Sequence, residues 1–254
     1  MTAIARSFCY IFLFALAISL AGCGSGASAL PGGLIIEEHA LQGPPQNEPL
    51  TFVPLEGSQD EILQKHAAQR SEYFSDNSNS TVTLNEHTLT TKEVGDMEQG
   101  YIVVASDGAE IYRINVGMGS PISPLQGLWV YDGHWVLETA RVSNTETEEN
   151  DLTSVHSFAL GQIVVDGDLL NKSRAYEEAF GFQTIDGKPF YFYRSNEEIG
   201  ISYDGQEMML GYEEIPHYGC CSAAEVNPRA AQNMVAFFAR KGEVWYYVEI
   251  GVFD

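Results

Sequence analysis

The dipeptide Asp-Gly occurs at residues 107, 132, 166, 186 and 204, each time between runs of aromatic or β-branched residues. Two-residue hairpin turns need positive φ at both central positions, which Gly takes freely and Asp tolerates. Residues 101–105 and 110–116 flank the first pair. Residues 128–131 and 134–142 flank the second, and the rest follow the same rhythm. Recurrence at strand ends predicts a mainly β chain, an antiparallel meander of about 12 to 14 strands.

The last third adds an internal repeat. Val164-Val165-Asp166-Gly167 and Tyr176-Glu177-Glu178 in one copy match Ser202-Tyr203-Asp204-Gly205 and Tyr212-Glu213-Glu214 in the next. The aromatic runs Phe190-Tyr191-Phe192-Tyr193 and Val244-Trp245-Tyr246-Tyr247-Val248 follow turns at Asp186-Gly187 and Lys241-Gly242. Glu198-Ile199-Gly200-Ile201 then matches Glu249-Ile250-Gly251-Val252. The copies are read as 164–202 and 203–254, the second carrying an insertion over 217–233 in which Pro228 could open one helical turn. The Asp-Gly pairs at 132, 166 and 204 lie 34 and then 38 residues apart, within the range of propeller blades. The turn-plus-aromatic rhythm resembles bacterial β-propeller-type repeat proteins, although no Trp-Asp or kelch motif accompanies it. A propeller-like array or a two-sheet sandwich or open barrel would each cover the sheet edges.

Ahead of the β domain, assigned to 81–254, the chain divides into three. Residues 1–22 read as a secretory signal: Arg6, an apolar run over 8–20, then small residues. Leu20-Ala21-Gly22-Cys23 resembles the lipobox of bacterial lipoproteins. The resemblance implies cleavage before Cys23, acylation of its sulfur, and an extracytoplasmic chain held to the membrane of a bacterial cell envelope. Residues 23–57, with Pro31, Pro44, Pro45, Pro49 and Pro54, read as a flexible membrane tether. In 58–80, Ser58 with Glu61 forms a capping box for one short helix to about Arg70, and a polar linker follows.

Charge narrows the partners. With 13 Lys and Arg against 35 Asp and Glu, the net charge is −22. Such a surface repels phosphate backbones, so nucleic acid is excluded as a partner. The charge serves solubility, with divalent-cation affinity as the sharper alternative. No cofactor is expected. His-Glu-x-x-His, Gly-x-Ser-x-Gly, Walker and Gly-x-Gly-x-x-Gly motifs are all absent. Residues 166–171 start like a calcium loop but lack its third ligand and terminal Glu, and so read as a hairpin turn.

Few residues stand out as chemistry. His134 and Glu138 lie four apart on one strand face, where they could form an acid–base pair or a cross-strand hydrogen bond. Adjacent Cys220 and Cys221 follow His217 in the insertion. The two thiols could form a strained vicinal disulfide, join His217 at a metal, or lie buried. Trp129, Trp135 and Trp245 could stack on a ligand but fit a β core better. These signals lead to a lipid-anchored β domain that binds a ligand or protein and performs no catalysis. An envelope hydrolase or redox enzyme using His134 and Glu138, or His217 and the Cys pair, is the alternative, and a structural surface lipoprotein is a third.

Overall fold

The computed structural model describes residues 28–45, 51–71, 80–95, 99–117, 122–149, 152–219 and 227–253, with the backbone alone for 143–149 and 152–158. The chain is mainly β, in four antiparallel sheets, none closed into a barrel. Sheet I joins β3 (Thr81–Leu84), β4 (His87–Gly95), β5 (Gly100–Ser106) and β6 (Ala109–Asn115) in chain order. Sheet II does the same with β7 (Leu125–Tyr131), β8 (His134–Glu149), β9 (Leu152–Val165) and β10 (Asp168–Leu169). Sheet III follows with β11 (Glu178–Ile185), β12 (Lys188–Ser195), β13 (Glu198–Tyr203) and β14 (Gln206–Tyr212). Sheet IV runs β15 (Arg229–Ala231), β16 (Met234–Lys241) and β17 (Val244–Gly251), then takes β2 (Ile35–Ala40) and β1 (Ser28–Ala29) from the other end of the chain.

All five Asp-Gly pairs are hairpin turns with both residues at positive φ, from 43° to 51° at Asp and 71° to 90° at Gly. Asn85-Glu86 and Asn196-Glu197 make the same turn, with Glu where Gly would be least strained. The turn between β16 and β17 falls on Gly242-Glu243, one residue later than its sequence match. A second recurrence ties sheets I, II and III together. Asp107, Asp166 and Asp204 each donate their backbone N–H to the second residue of the second strand, at Thr88, Trp135 and Pro189. In sheet IV the equivalent bond runs from Leu41 N to Trp245 O.

That equivalence makes β2 the counterpart of β13. The repeat therefore closes with a strand from the N-terminal side, and not with Glu249-Ile250-Gly251-Val252, whose first three residues are the end of β17. Part of the span read as a tether is therefore built into the fold: Ile35–Ala40 is a strand of sheet IV. Leu34, Ile36, Leu41 and Phe52 are buried, and β2 satisfies the backbone of β17, a partner roughly 200 residues away that local proline content cannot reveal. Residues 229–231 form β15 where a helical turn was expected.

The sheets stack face to face like blades in file. Leu89, Ile102, Val104, Leu128, Leu137 and Val164 fill the space between I and II. Val136, Ile163, Ala179, Phe182 and Tyr191 fill that between II and III. Phe180, Phe190, Phe192, Ile201, Phe237 and Val248 pack III on IV. Alternate residues of sheet IV, Met234, Ala236 and Phe238, turn the other way onto Phe52 and Ile62. Ile62 lies in α1 (Gln59–Lys65), capped by the Ser58–Glu61 box as expected, and α2 (Ala67–Arg70) follows after a break at His66. Helices thus cover the sheet IV face that a closed propeller would turn to sheet I. A single-turn helix, α3 (Leu170–Ser173), follows β10.

One further element departs from expectation. The acidic stretch 143–154 reads as a solvated loop, but its described residues, 143–149 and 152–154, belong to a long ribbon. Strands β8 and β9 pair without interruption from Val136↔Val165 to Glu149↔Leu152. Thr145, Thr147 and Thr153 favour extended backbone, and pairing with the partner strand outweighs the poor strand preference of the glutamates. No helix among the described residues is long and apolar enough to cross a membrane.

Candidate functional site

A cluster of buried and half-buried polar groups lies where sheet II meets sheet III. It begins with a defect in β11. The register against β12 slips between Phe180 and Gln183, with Gly181 at φ 67°. Such a bulge turns backbone amides away from the ladder, and they need another acceptor. Glu138 of β8 supplies it: Oε1 accepts from Gly181 N at 2.9 Å and Oε2 from Phe182 N at 2.7 Å. Sheet III returns the arrangement. Glu178 of β11 accepts from Gly161 N of β9 at 2.8 Å. Gly161 permits the approach, since a Cβ there would lie 2.4 Å from Ala179 O.

The segment after β14 completes the cluster. Tyr218 donates its hydroxyl to Glu138. His217 stacks on Phe180, ring centroids 3.6 Å apart and planes within 2°. Its Nδ1 lies 2.6 Å from Ile215 O and its Nε2 3.0 Å from Glu178 Oε1. Both ring nitrogens thus face oxygen atoms. Arg194 stands 3.6 Å from the other oxygen of Glu178.

The two carboxyls are driven apart. Burial pushes Glu138 up, and the hydrogen bonds from Tyr218, Phe182 and Gly181 offset this only in part. Burial also opposes ionisation of Glu178, but His217, the Gly161 amide and Arg194 outweigh it and hold that carboxyl below the usual range. Burial, then Glu138, raises the Tyr218 phenol well above its ordinary value. A split pair of carboxyls is the raw material of acid–base chemistry. Here, however, both oxygens of Glu138 and Oε1 of Glu178 are engaged with backbone amides, an imidazole or a phenol, Oε2 of Glu178 faces the Arg194 guanidinium, and the cluster fastens sheet II to sheet III.

His134 and Glu138, paired in the sequence reading, do not meet. His134 is exposed at the start of β8, with Nδ1 2.5 Å from Asp166 Oδ2. Trp135 N donates to the other oxygen of Asp166 at 3.0 Å. His87 and Asp107 repeat this contact in sheet I at 2.6 Å, with Thr88 N bonded to Asp107. A contact repeated from sheet to sheet belongs to the turn. It holds the aspartate of one hairpin against the strand start of the preceding one, and Asp107 is lowered chiefly by its His87 hydrogen bond. Glu138 and His217 do share one cluster, which spacing alone could not predict. Glu178 and Tyr218 were missed, although Tyr-Glu-Glu was visible as a repeated tripeptide. The described neighbours of the His217 ring nitrogens are the Ile215 carbonyl and the Glu178 carboxyl. Cys23, Cys220 and Cys221 lie outside the described residues. Trp135 is buried in the core between sheets I and II, as expected, and Trp129 tilts against Phe182 between II and III.

No family model, curated protein or solved structure matches this chain.

Proposed function

We propose that this chain is a lipid-anchored, extracytoplasmic β domain that binds a protein partner through the β8–β9 ribbon and performs no catalysis. One observation carries the reading. The Val142 N–H bonds to Val116 O. From Ser143↔Phe158 to Glu149↔Leu152 the two strands pair only with each other among the described residues. A ribbon of this kind offers two edges of backbone N–H and C=O groups, to which an extended segment of another chain can add as a strand. Its sequence includes Glu146, Glu148 and Glu149, so a segment rich in Lys and Arg complements it. The engaged state of Glu138, Glu178 and His217 supports a binder over an enzyme. Cys23, in its lipobox-like setting, supplies the membrane attachment.

Two variants test the reading. Joining Val142 to Ala159 through Asn-Gly removes the ribbon and leaves a favourable hairpin turn at an existing cross-strand pair. After crosslinking in intact cells, this chain should remain folded and membrane-bound but lose its crosslinked partner. Retention of every partner by the shortened chain overturns the ribbon assignment. Cys23→Ser should move the protein from the membrane to the soluble fraction, and its retention with the membrane refutes the anchor.

A further inference from the structure

At the far end of the stack, under the helices, sheet IV contains an unusual cross-strand pair. Glu37 of β2 and Glu249 of β17 stand directly opposite each other in register. They are only 7% and 0% exposed. Like charges directly opposite on a sheet are destabilising, and burial removes the water that would screen them. The fold places His66, 8% exposed, on the same spot, at the break between α1 and α2. Its ring is fixed by stacking on Phe253, with centroids 3.9 Å apart.

The hydrogen bonds are divided in an instructive way. Arg70 Nε and the Tyr247 hydroxyl all donate to Oε1 of Glu249, as does Arg70 Nη2. Glu249 Oε2 is fully buried with no hydrogen-bond partner. Lys65 takes Oε1 of Glu37 at 2.6 Å, and Oε2 lies 3.3 Å from His66 Nε2, which is likewise buried without a hydrogen bond. One donor atom each from Glu37, His66 and Glu249 lies within 4.8 Å of the others.

We propose that His66 Nε2 and one oxygen from each of Glu37 and Glu249 bind a zinc ion, or a first-row divalent cation of similar chemistry. Imidazole with carboxylates is a zinc donor set. Bonds of about 2.0–2.1 Å in a tetrahedron put neighbouring donors about 3.3–3.4 Å apart, the separation already found between His66 and Glu37. Arg70, Tyr247 and Lys65 occupy the outer oxygens, as partners of ligating carboxylates do. The inner charges are two carboxylates against the Arg70 guanidinium, because the Lys65 side chain is 56% exposed and screened by solvent. The ion removes the repulsion between Glu37 and Glu249. It also pins the helix junction and the first long strand to the last one, so its role is to hold sheet IV closed.

The test uses the tag-free, full-length chain. Titration calorimetry with zinc should give one equivalent bound tightly, and chelation should lower the melting temperature. Cobalt in place of zinc should give visible d–d absorption of tetrahedral type. His66→Gln should weaken zinc binding by at least about 100-fold, beyond the 10–100-fold that loss of an outer partner causes. Glu249→Gln keeps an acceptor for Arg70 and Tyr247, so it guards against misfolding of the first variant and should lose the cobalt spectrum too. His87→Gln, an exposed imidazole on sheet I, should bind as wild type. Absence of a tight equivalent in the wild type overturns the proposal. So does unchanged binding in folded His66→Gln or Glu249→Gln, which assigns the metal to surface carboxylates.

Discussion

Replacing Glu138 by Ala tests whether the carboxylate between sheets II and III is a fastening. The substitution leaves three donors without their acceptor: the buried Phe182 N–H and the half-buried Gly181 N–H and Tyr218 hydroxyl. A buried donor left unpaired costs about 1–3 kcal/mol, so three set an upper bound of about 3–9 kcal/mol, with the two half-buried donors at the low end. Water entering the space left by the side chain restores part of this, which places the expected loss at about 3–5 kcal/mol, within the range that breaking a buried network produces. Glu138→Gln keeps one acceptor oxygen and should lose about half as much. Urea unfolding followed by circular dichroism measures both. At an m value of about 2–3 kcal/mol/M the Ala midpoint should fall by more than 1 M with m unchanged. The order of stability should be wild type, Gln, Ala. An Ala variant within about 0.5 kcal/mol of wild type, the span of an ordinary surface change, refutes the fastening role and returns Glu138 to the list of groups free for chemistry.

Two other expectations follow from the same geometry. The Glu178 carboxyl is depressed in the folded chain by His217, Gly161 and Arg194 against the opposing effect of burial. Its contribution to stability is therefore present above the unfolded carboxyl value of about 4.3 and is lost as pH falls through the lower folded value. Acid titration of stability should thus be shallower in Glu178→Gln than in wild type, and superimposable curves would exclude the pair as the cause. Glu138 has the opposite sign: raised by burial, it favours the fold below about pH 4.3 and loses that contribution as pH rises through its higher folded value. Turn chemistry gives the third expectation. Glu197 sits at φ 66° and Gly205 at φ 74°, so Glu197→Gly should stabilise by up to about 1 kcal/mol and Gly205→Val should destabilise by about 1–2 kcal/mol. Nothing lies within 4 Å of a Cβ built on Gly205, so its cost is conformational alone, and equal melting temperatures for that variant and wild type would contradict the turn assignment.

What the sequence made legible was local. Asp-Gly turns dictate their own backbone, and the Ser58–Glu61 box caps its helix through neighbours three residues apart. Both could be read because cause and effect lie within a few residues. The matching of Asp186-Gly187 to the β16–β17 turn was right to within one residue for the same reason. Long-range partners escaped. Ile35–Ala40 is an unremarkable hexapeptide between prolines until β17 is laid beside it. Glu37, His66 and Glu249 are scattered along the chain and form no motif. Glu138 was nominated with His134 because a strand puts alternate residues on one face. The strand was correct, but the exposed end of β8 gave His134 to Asp166 while the interior gave Glu138 to the bulge of β11. The acidic stretch over 143–154 was misread because composition reports solvation and is silent about a partner strand.

The closure of sheet IV by β2 sets an order on assembly. Sheets I, II and III each arise from strands adjacent in the chain and can form as the chain emerges, with low loop-closure cost. Sheet IV cannot, because β2 is made first and its partner β17 last. Until then the apolar side chains of Leu34 and Ile36 have no sheet to cover them, and β17 without β2 would present an open edge ready to capture any extended segment nearby. The same junction that seals the finished domain is thus its most exposed point during biogenesis. A chain shortened past Ala40 inherits that exposure permanently, with self-association through β17 as its natural fate.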